Sequence, residues 1–234
     1  MSAPVRVLDQ GYVRLVESWG SDERIIEAAR MSTARGFLGW GTPEKPGDEK
    51  LLRYLWDHSH ATPFEMAGFV VEVRAPIMVF REWHRHRVFS VNELSARYTP
   101  LPDENYLPTV ERVLHANAAT TNRQAQGSGR ALDAADALAW LDQLADVYEH
   151  AERVYRAGLA IGVAKELARL PVPVARYSVM RASTNLRGWL GFLRLRCDPA
   201  AQWEIREYAN AVAGIVCDLY PRTYEVAAAS VGLP

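Results

Sequence analysis

Only two cysteines, Cys197 and Cys217, occur in 234 residues. They are too few for a disulfide framework and lack the C-x-x-C spacing of a redox or zinc motif, so a reducing, cytoplasmic setting is expected. Long apolar runs are missing too: no stretch approaches the roughly 20 residues that a membrane span requires. The start, MSAPVRVLDQGYVRL, has no basic region followed by an apolar core, so no leader and no membrane partner are expected. Positive charge is not in excess. The formal net charge is −1, whereas a general nucleic-acid binder carries a basic surplus over a face or domain. There is no G-x-G-x-x-G after a strand, no G-x-x-x-x-G-K-[ST] loop and no G-x-S-x-G elbow, so a dinucleotide would have to be held by other means.

What is present is ordinary globular material, 49% apolar and 24% charged, long enough for one domain over 1–234 that buries a core without staples. Alternation predicts strands at 5–9 and 12–17, and apolar spacing after an acidic start predicts a helix over 22–32. GFLGWGTPEKPGDEK, 36–50, is rich in Gly and Pro and reads as a flexible loop before a helix in LLRYLWDHSH. FVVEVRA, 69–75, is a strand, and Pro76 suits the first turn of a helix IMVFREWHRHR. A second gap, 100–133, has a small, polar, aperiodic centre at 115–132 that should be mobile. Helix returns over 134–158, with Leu138, Leu141, Leu144, Ala145, Tyr148 and Ala151 as one core-facing stripe. A short helix at 164–171, a strand YSVMRAST, a helix NLRGWLGFLRLR and a longer helix opened by Asp198-Pro199 complete the chain. Separated strands among many helices, without a parallel βαβ series, give the α+β class.

The polar density concentrates in RHRVFSVNELSARY, Arg85–Tyr98. On a helix Arg85, His86 and Arg87 fan over about 200°, too wide for one small ligand unless several converge. Glu82 and Arg85 have the spacing of a helical ion pair. Ser90-Val-Asn-Glu93 matches a capping box, which needs no function. If the following segment is extended, Ser95 and Arg97 lie on one side, and Arg97 with Arg85 could fork onto a phosphate. Downstream, Arg187 and Arg194 share a helical face with Gly191 between them. His58-Ser-His60 and His84-Arg-His86 offer imidazoles, but rings two apart diverge on a helix and neighbouring arginines oppose a cation, so no metal is expected. These residues leave three readings open: a nucleic-acid patch, an acid/base or metal site, and a pocket for a phosphorylated small molecule.

RHRVFSVNELS, an Arg-His-Arg, seven further residues and then a serine, resembles the signature of the flavin-dependent thymidylate synthases. HSHATPFE at 58–65 resembles that family's flavin-contacting segment, and 166–204 its C-terminal nucleotide-binding half. The resemblance implies a single-domain fold with a small, mostly antiparallel sheet flanked by helices. It implies reductive methylation of dUMP to dTMP with 5,10-methylenetetrahydrofolate as one-carbon donor, FAD as the flavin and NADPH as reductant, in a homotetramer with shared active sites and no protein nucleophile. On this resemblance Glu82, Arg85, Glu93, Leu94, Ser95, Ala96, Arg97, Arg169 and Arg196 face dUMP, and Arg196 favours ionisation of the uracil ring. His60, Thr62, Arg85, His86, Arg87, Glu93, Asn185, Leu186 and Arg187 face FAD. Gly191 departs from the pattern: it stands where family members tend to carry Asn or His against the flavin. The competing hypotheses are a flavin- and folate-dependent uracil methyltransferase acting on RNA, and a non-enzymatic nucleotide- or RNA-binding module. Cys197 adjoins Arg196, which could lower its pKa, but a small residue at a helix start is the simpler reading.

Overall fold

The computed structural model describes residues 3–42, 44–116 and 132–233. Five antiparallel strands form one open sheet: β1 (Val5–Val7), β2 (Gly11–Trp19), β3 (Gly68–Pro76), β4 (Ser90–Glu93) and β5 (Tyr177–Asn185), in the order β1-β2-β3-β5-β4. Between and after them lie α1 (Asp22–Arg30), α2 (Glu49–Asp57), α3 (Ile77–Trp83), α4 (Val110–Leu114), α5 (Ala134–Ala160), α6 (Lys165–Ala168), α7 (Leu186–Arg196), α8 (Trp203–Leu219) and α9 (Pro221–Val231). The α+β expectation holds. Among the described residues no helix is long and apolar enough to cross a membrane.

Alternation gives the sheet one greasy face. Val13, Phe69, Val71, Val73, Met180 and Ala182 are buried and join Trp189, Leu193, Tyr208 and Val212 of α7 and α8 in a single core. On the other face Glu72 takes Arg14 from β2 at 2.6 Å and Arg181 from β5 at 3.5 Å, a cross-strand charge ladder. Aromatic rings bind α3 and β3 to α7: Trp83 against Phe192 (4.5 Å between ring centroids), Phe89 against Trp189 (4.7 Å) and Phe69 stacked on Trp189 (4.4 Å). Deleting one such ring from a core costs about 3–5 kcal/mol. This cluster therefore fixes the segment between α3 and β4, which carries the Arg-His-Arg triplet.

Several expectations change. The helix over 77–87 stops at Trp83, so Arg85, His86 and Arg87 lie in a turn, where fanning around a helix no longer applies. Ser90–Glu93 is not a cap: it is the edge strand β4, paired with β5 from Ser90↔Ser183 to Glu93↔Met180. The last long helix begins at Trp203, after a separate turn in which Asp198 Oδ1 accepts the Ala200 N–H at 2.7 Å. In α5 Leu141 and Ala151 are buried and Leu144, Ala145 and Tyr148 partly so, but Leu138 is 51% exposed. The 100–116 stretch contains α4 and an anchor: fully buried Arg176 reaches Asn105 (3.0 Å), the Pro102 carbonyl (2.8 Å) and Glu152 (2.7 Å). The centre of the gap expected to move lies, from 117 to 131, outside the described residues.

Candidate active site

The expected site residues fall into three places. The first joins the end of α3 to the end of α7. There Arg196 donates from Nη1 to Glu82 Oε2 (2.8 Å), from Nη2 to the Glu82 carbonyl (2.9 Å) and from Nε to His86 Nε2 (2.9 Å). The expected Glu82–Arg85 pair gives way to this one because α3 ends before Arg85, which is left exposed. Burial, and then the Arg196 charge, hold the His86 imidazole down to about 4. The ring is neutral at pH 7 with an Nε2 lone pair available, which puts its proton on Nδ1. Glu82 and Arg196 line a cavity of about 1010 Å³ together with Thr109, Arg112, His115 and Arg206. These last four, and Trp203 beneath the Arg112 guanidinium at 5.2 Å, carry no signal in the sequence, because α4 and the start of α8 meet only through the fold.

The second place is a pocket of about 430 Å³ lined by Glu93, Leu94, Ser95, Ala96 and Arg169. Chain leaving β4 turns sharply here: Ser95 Oγ accepts the Arg97 N–H at 3.3 Å and the Ser95 carbonyl accepts the Tyr98 N–H at 3.0 Å. Lys165 in α6 donates to the Tyr98 carbonyl at 2.9 Å, tying the turn to the helix that precedes Arg169. Arg97 lies over the Tyr98 ring at 5.4 Å. An arginine beside an exposed hydroxyl turn suits a phosphate.

The third place is a pocket of about 440 Å³ along α7, where His60, Arg187, Gly191 and Arg194 meet Trp56 and Phe64. Arg187 pairs with Glu65 at 2.6 Å and is well exposed, so an incoming phosphate competes with a weak surface pair. Two guanidiniums beside aromatic and aliphatic walls suit a pyrophosphate linked to flat rings, which is the chemistry an FAD would bring. Thr62 lines an adjoining cavity that also includes His60. Asn185 caps α7, its side chain accepting the Gly188 N–H at 2.9 Å. The Leu186 side chain is wholly in the core and its N–H goes to the Ala67 carbonyl, so the residue shapes the helix start and presents no side chain outward. Arg87, like Arg85, is exposed.

Cys197 lies outside all three. Its thiol is pushed up to about 11 by burial, the reverse of the lowering that Arg196 next in sequence suggested. A neutral, half-buried thiol is a poor nucleophile. Among the described residues no group of three or more His, Cys, Asp or Glu is placed to hold a metal ion.

A sequence model described as thymidylate synthase complementing protein matches residues 14–222. A flavin-dependent thymidylate synthase from Thermus thermophilus is 44% identical over 217 residues, covering 93% of this chain and 75% of the relative. Another, from Thermosipho africanus, is 40% identical over 223 residues, covering 94% and 92%. Among solved structures, the UMP/dUMP methylase PolB from Streptomyces cacaoi, bound with 5-Br dUMP, superposes with a TM-score of 0.84 at 32% identity. It covers 98% of this chain and 99% of that one. The same methylase with 5-Br UMP gives a TM-score of 0.83.

Proposed function

The chain belongs to the flavin-dependent thymidylate synthase family and converts dUMP to dTMP with a flavin cofactor, and we propose that it does so with FAD, 5,10-methylenetetrahydrofolate and NADPH at sites shared between copies of the chain. The observation that carries the assignment of the uracil is the fixed guanidinium of Arg196. Each of its terminal nitrogens keeps a further N–H for a ligand in the cavity it lines. A cation held beside the O–N–O edge of a uracil stabilises charge developing there, so Arg196 favours ionisation of the ring nitrogen and activates carbon 5.

The remaining residues bind and orient. Ser95, Arg97 and Arg169, with the backbone of Glu93 to Ala96, take the nucleotide phosphate. Arg187 and Arg194, with His60 and Thr62 nearby and the exposed Arg85 and Arg87, hold the flavin nucleotide and its pyrophosphate. When bound, reduced FAD supplies the hydride that completes the methyl group, and NADPH restores it; the protein contributes binding, orientation and electrostatics. Nothing in this scheme requires a thiol or hydroxyl nucleophile, in keeping with the neutral Cys197 and the turn-forming Ser95. Small-molecule chemistry of this kind fits the cytoplasmic setting expected from the cysteine count.

Purified protein reconstituted with FAD should form dTMP from dUMP, methylenetetrahydrofolate and NADPH. A preparation that takes up no flavin and forms no dTMP would sink the proposal. UMP and a uracil-containing RNA, run beside dUMP, check the substrate. The RNA-directed methyltransferase and the binding module are the readings that the near-neutral charge and the named relatives do not favour.

A further inference from the structure

The turn that carries Arg85, His86 and Arg87 splits the triplet. The two arginines are exposed, while the histidine turns inward. Its ring packs between Phe192 (5.0 Å between centroids) and Phe89 (6.2 Å). Phe192 precedes Arg196 by one turn of α7, so the imidazole rests on the helix that presents the guanidinium. We propose that His86 is a positioning residue for Arg196: its Nε2 accepts the Arg196 Nε–H and, with Glu82 on the two terminal nitrogens, holds the guanidinium in one plane for the uracil. The proposal rests on the assignment of the uracil to Arg196.

Three observations carry it. The backbone fixes the ring from behind, His86 N–H donating to the Trp83 carbonyl at 3.0 Å and Phe89 N–H to the His86 carbonyl at 3.3 Å, with Trp83 fully buried. Arg196 is only 16% exposed at its side chain, so without the imidazole its Nε–H would face a partly dry surrounding with no acceptor. Finally, Nε lies nearest the flexible stem. Glu82 alone would hold the fork at its far end and leave the stem free to swing, whereas a third contact at Nε removes that freedom. The acceptor's charge matters as well. A second carboxylate here would offset the positive field on the ligand; a neutral imidazole takes the hydrogen bond without doing so.

A double-mutant cycle tests this on the FAD-loaded protein, with dUMP dissociation constants measured by calorimetry for wild type, His86→Phe, Arg196→Ala and the pair. Phenylalanine keeps the ring packing and removes the acceptor. It is expected to weaken dUMP binding roughly tenfold in the wild-type background and hardly at all once Arg196 is gone, with flavin content unchanged. His86→Gln, whose amide oxygen reaches the Nε2 position, should retain most of the affinity, and the shorter His86→Asn should not. Should His86→Phe fail to fold, this amide pair decides. Equal losses on both backgrounds, or a glutamine variant as weak as asparagine, overturns the positioning role. A loss of flavin with dUMP affinity intact overturns it too and returns His86 to the flavin. A wild-type protein that binds flavin but not dUMP removes the uracil assignment itself, and this proposal with it.

Discussion

At Gly191 an added Cβ would meet nothing within 4 Å, although the residue lies on the α7 face that carries Arg187 and Arg194. The departure from the family pattern is therefore not forced by crowding. Gly191→Asn should fit, gain a few tenths of a kcal/mol of helix propensity, and raise the flavin-to-protein ratio that survives gel filtration. An unchanged ratio would mean the flavin passes elsewhere. Ser95→Ala removes the hydroxyl that accepts the Arg97 N–H and should weaken dUMP binding while leaving measurable turnover; abolished turnover with intact dUMP binding would make Ser95 a nucleophile. Cys197→Ala should keep the wild-type turnover number, because a thiol near 11 contributes no thiolate at neutral pH. The residues proposed for the site come largely from motif resemblance. Their pairing does not. Glu82 looked like the partner of Arg85 on spacing, and only the meeting of α3 with α7, more than a hundred residues apart, gives it to Arg196.

Elements show the same limit. Strands β2, β3 and β5 announced themselves by alternation, and α1, α2 and α7 by helical spacing, since those signals are local. The stretch Ser90–Glu93 satisfies both a capping box and an extended segment, and pairing with β5 decides between them. Arg176, the buried anchor of the 100–106 segment, could not be told from a surface arginine without that fold. Gly188 marks another junction of this kind. A Cβ there would sit 2.4 Å from Thr184 Oγ1, the hydroxyl that donates to the Val88 carbonyl at 3.0 Å and so pins the Arg-His-Arg turn to β5. Gly188→Ala should cost about 1 kcal/mol net, a crowding penalty of about 1–3 reduced by the better helix propensity of alanine. On a Thr184→Ala background, which removes Oγ1 and Cγ2 and leaves only the Cβ at 3.2 Å, the same change should cost distinctly less. Urea midpoints of the four proteins check this, and an undiminished loss without the Thr184 hydroxyl and methyl would place the strain elsewhere.

At the scale of the molecule the three pockets have no lining residue in common. Arg187 and Arg196 are nine residues apart on α7, which places them about 13 Å apart along the helix and about 180° apart around it. One copy of the chain thus offers the proposed flavin patch and the proposed uracil cation on opposite sides of a single helix. The edge strand β4 and its flanks leave Val88 and Tyr98 widely exposed, the kind of edge that proteins cover. Along α5 and its C-cap, Trp140, Val147, Val154 and Ile161 repeat every seventh residue as a second exposed apolar line, the spacing of a helix-packing seam. The proposed shared sites account for all three features and lead to a complementation test. Arg196→Ala removes the proposed uracil cation and Arg169→Ala the proposed phosphate ligand from a different pocket. Each variant alone should be nearly inactive. Co-expressed with different tags and purified as mixed oligomers, they should regain dTMP formation, because a site that draws Arg196 from one copy and Arg169 from another can be built from the intact halves. Random mixing makes about a quarter of such sites whole. Mixed oligomers no more active than either parent would show that both arginines serve a site within one chain, and α7 would then have to bend or turn to bring them together.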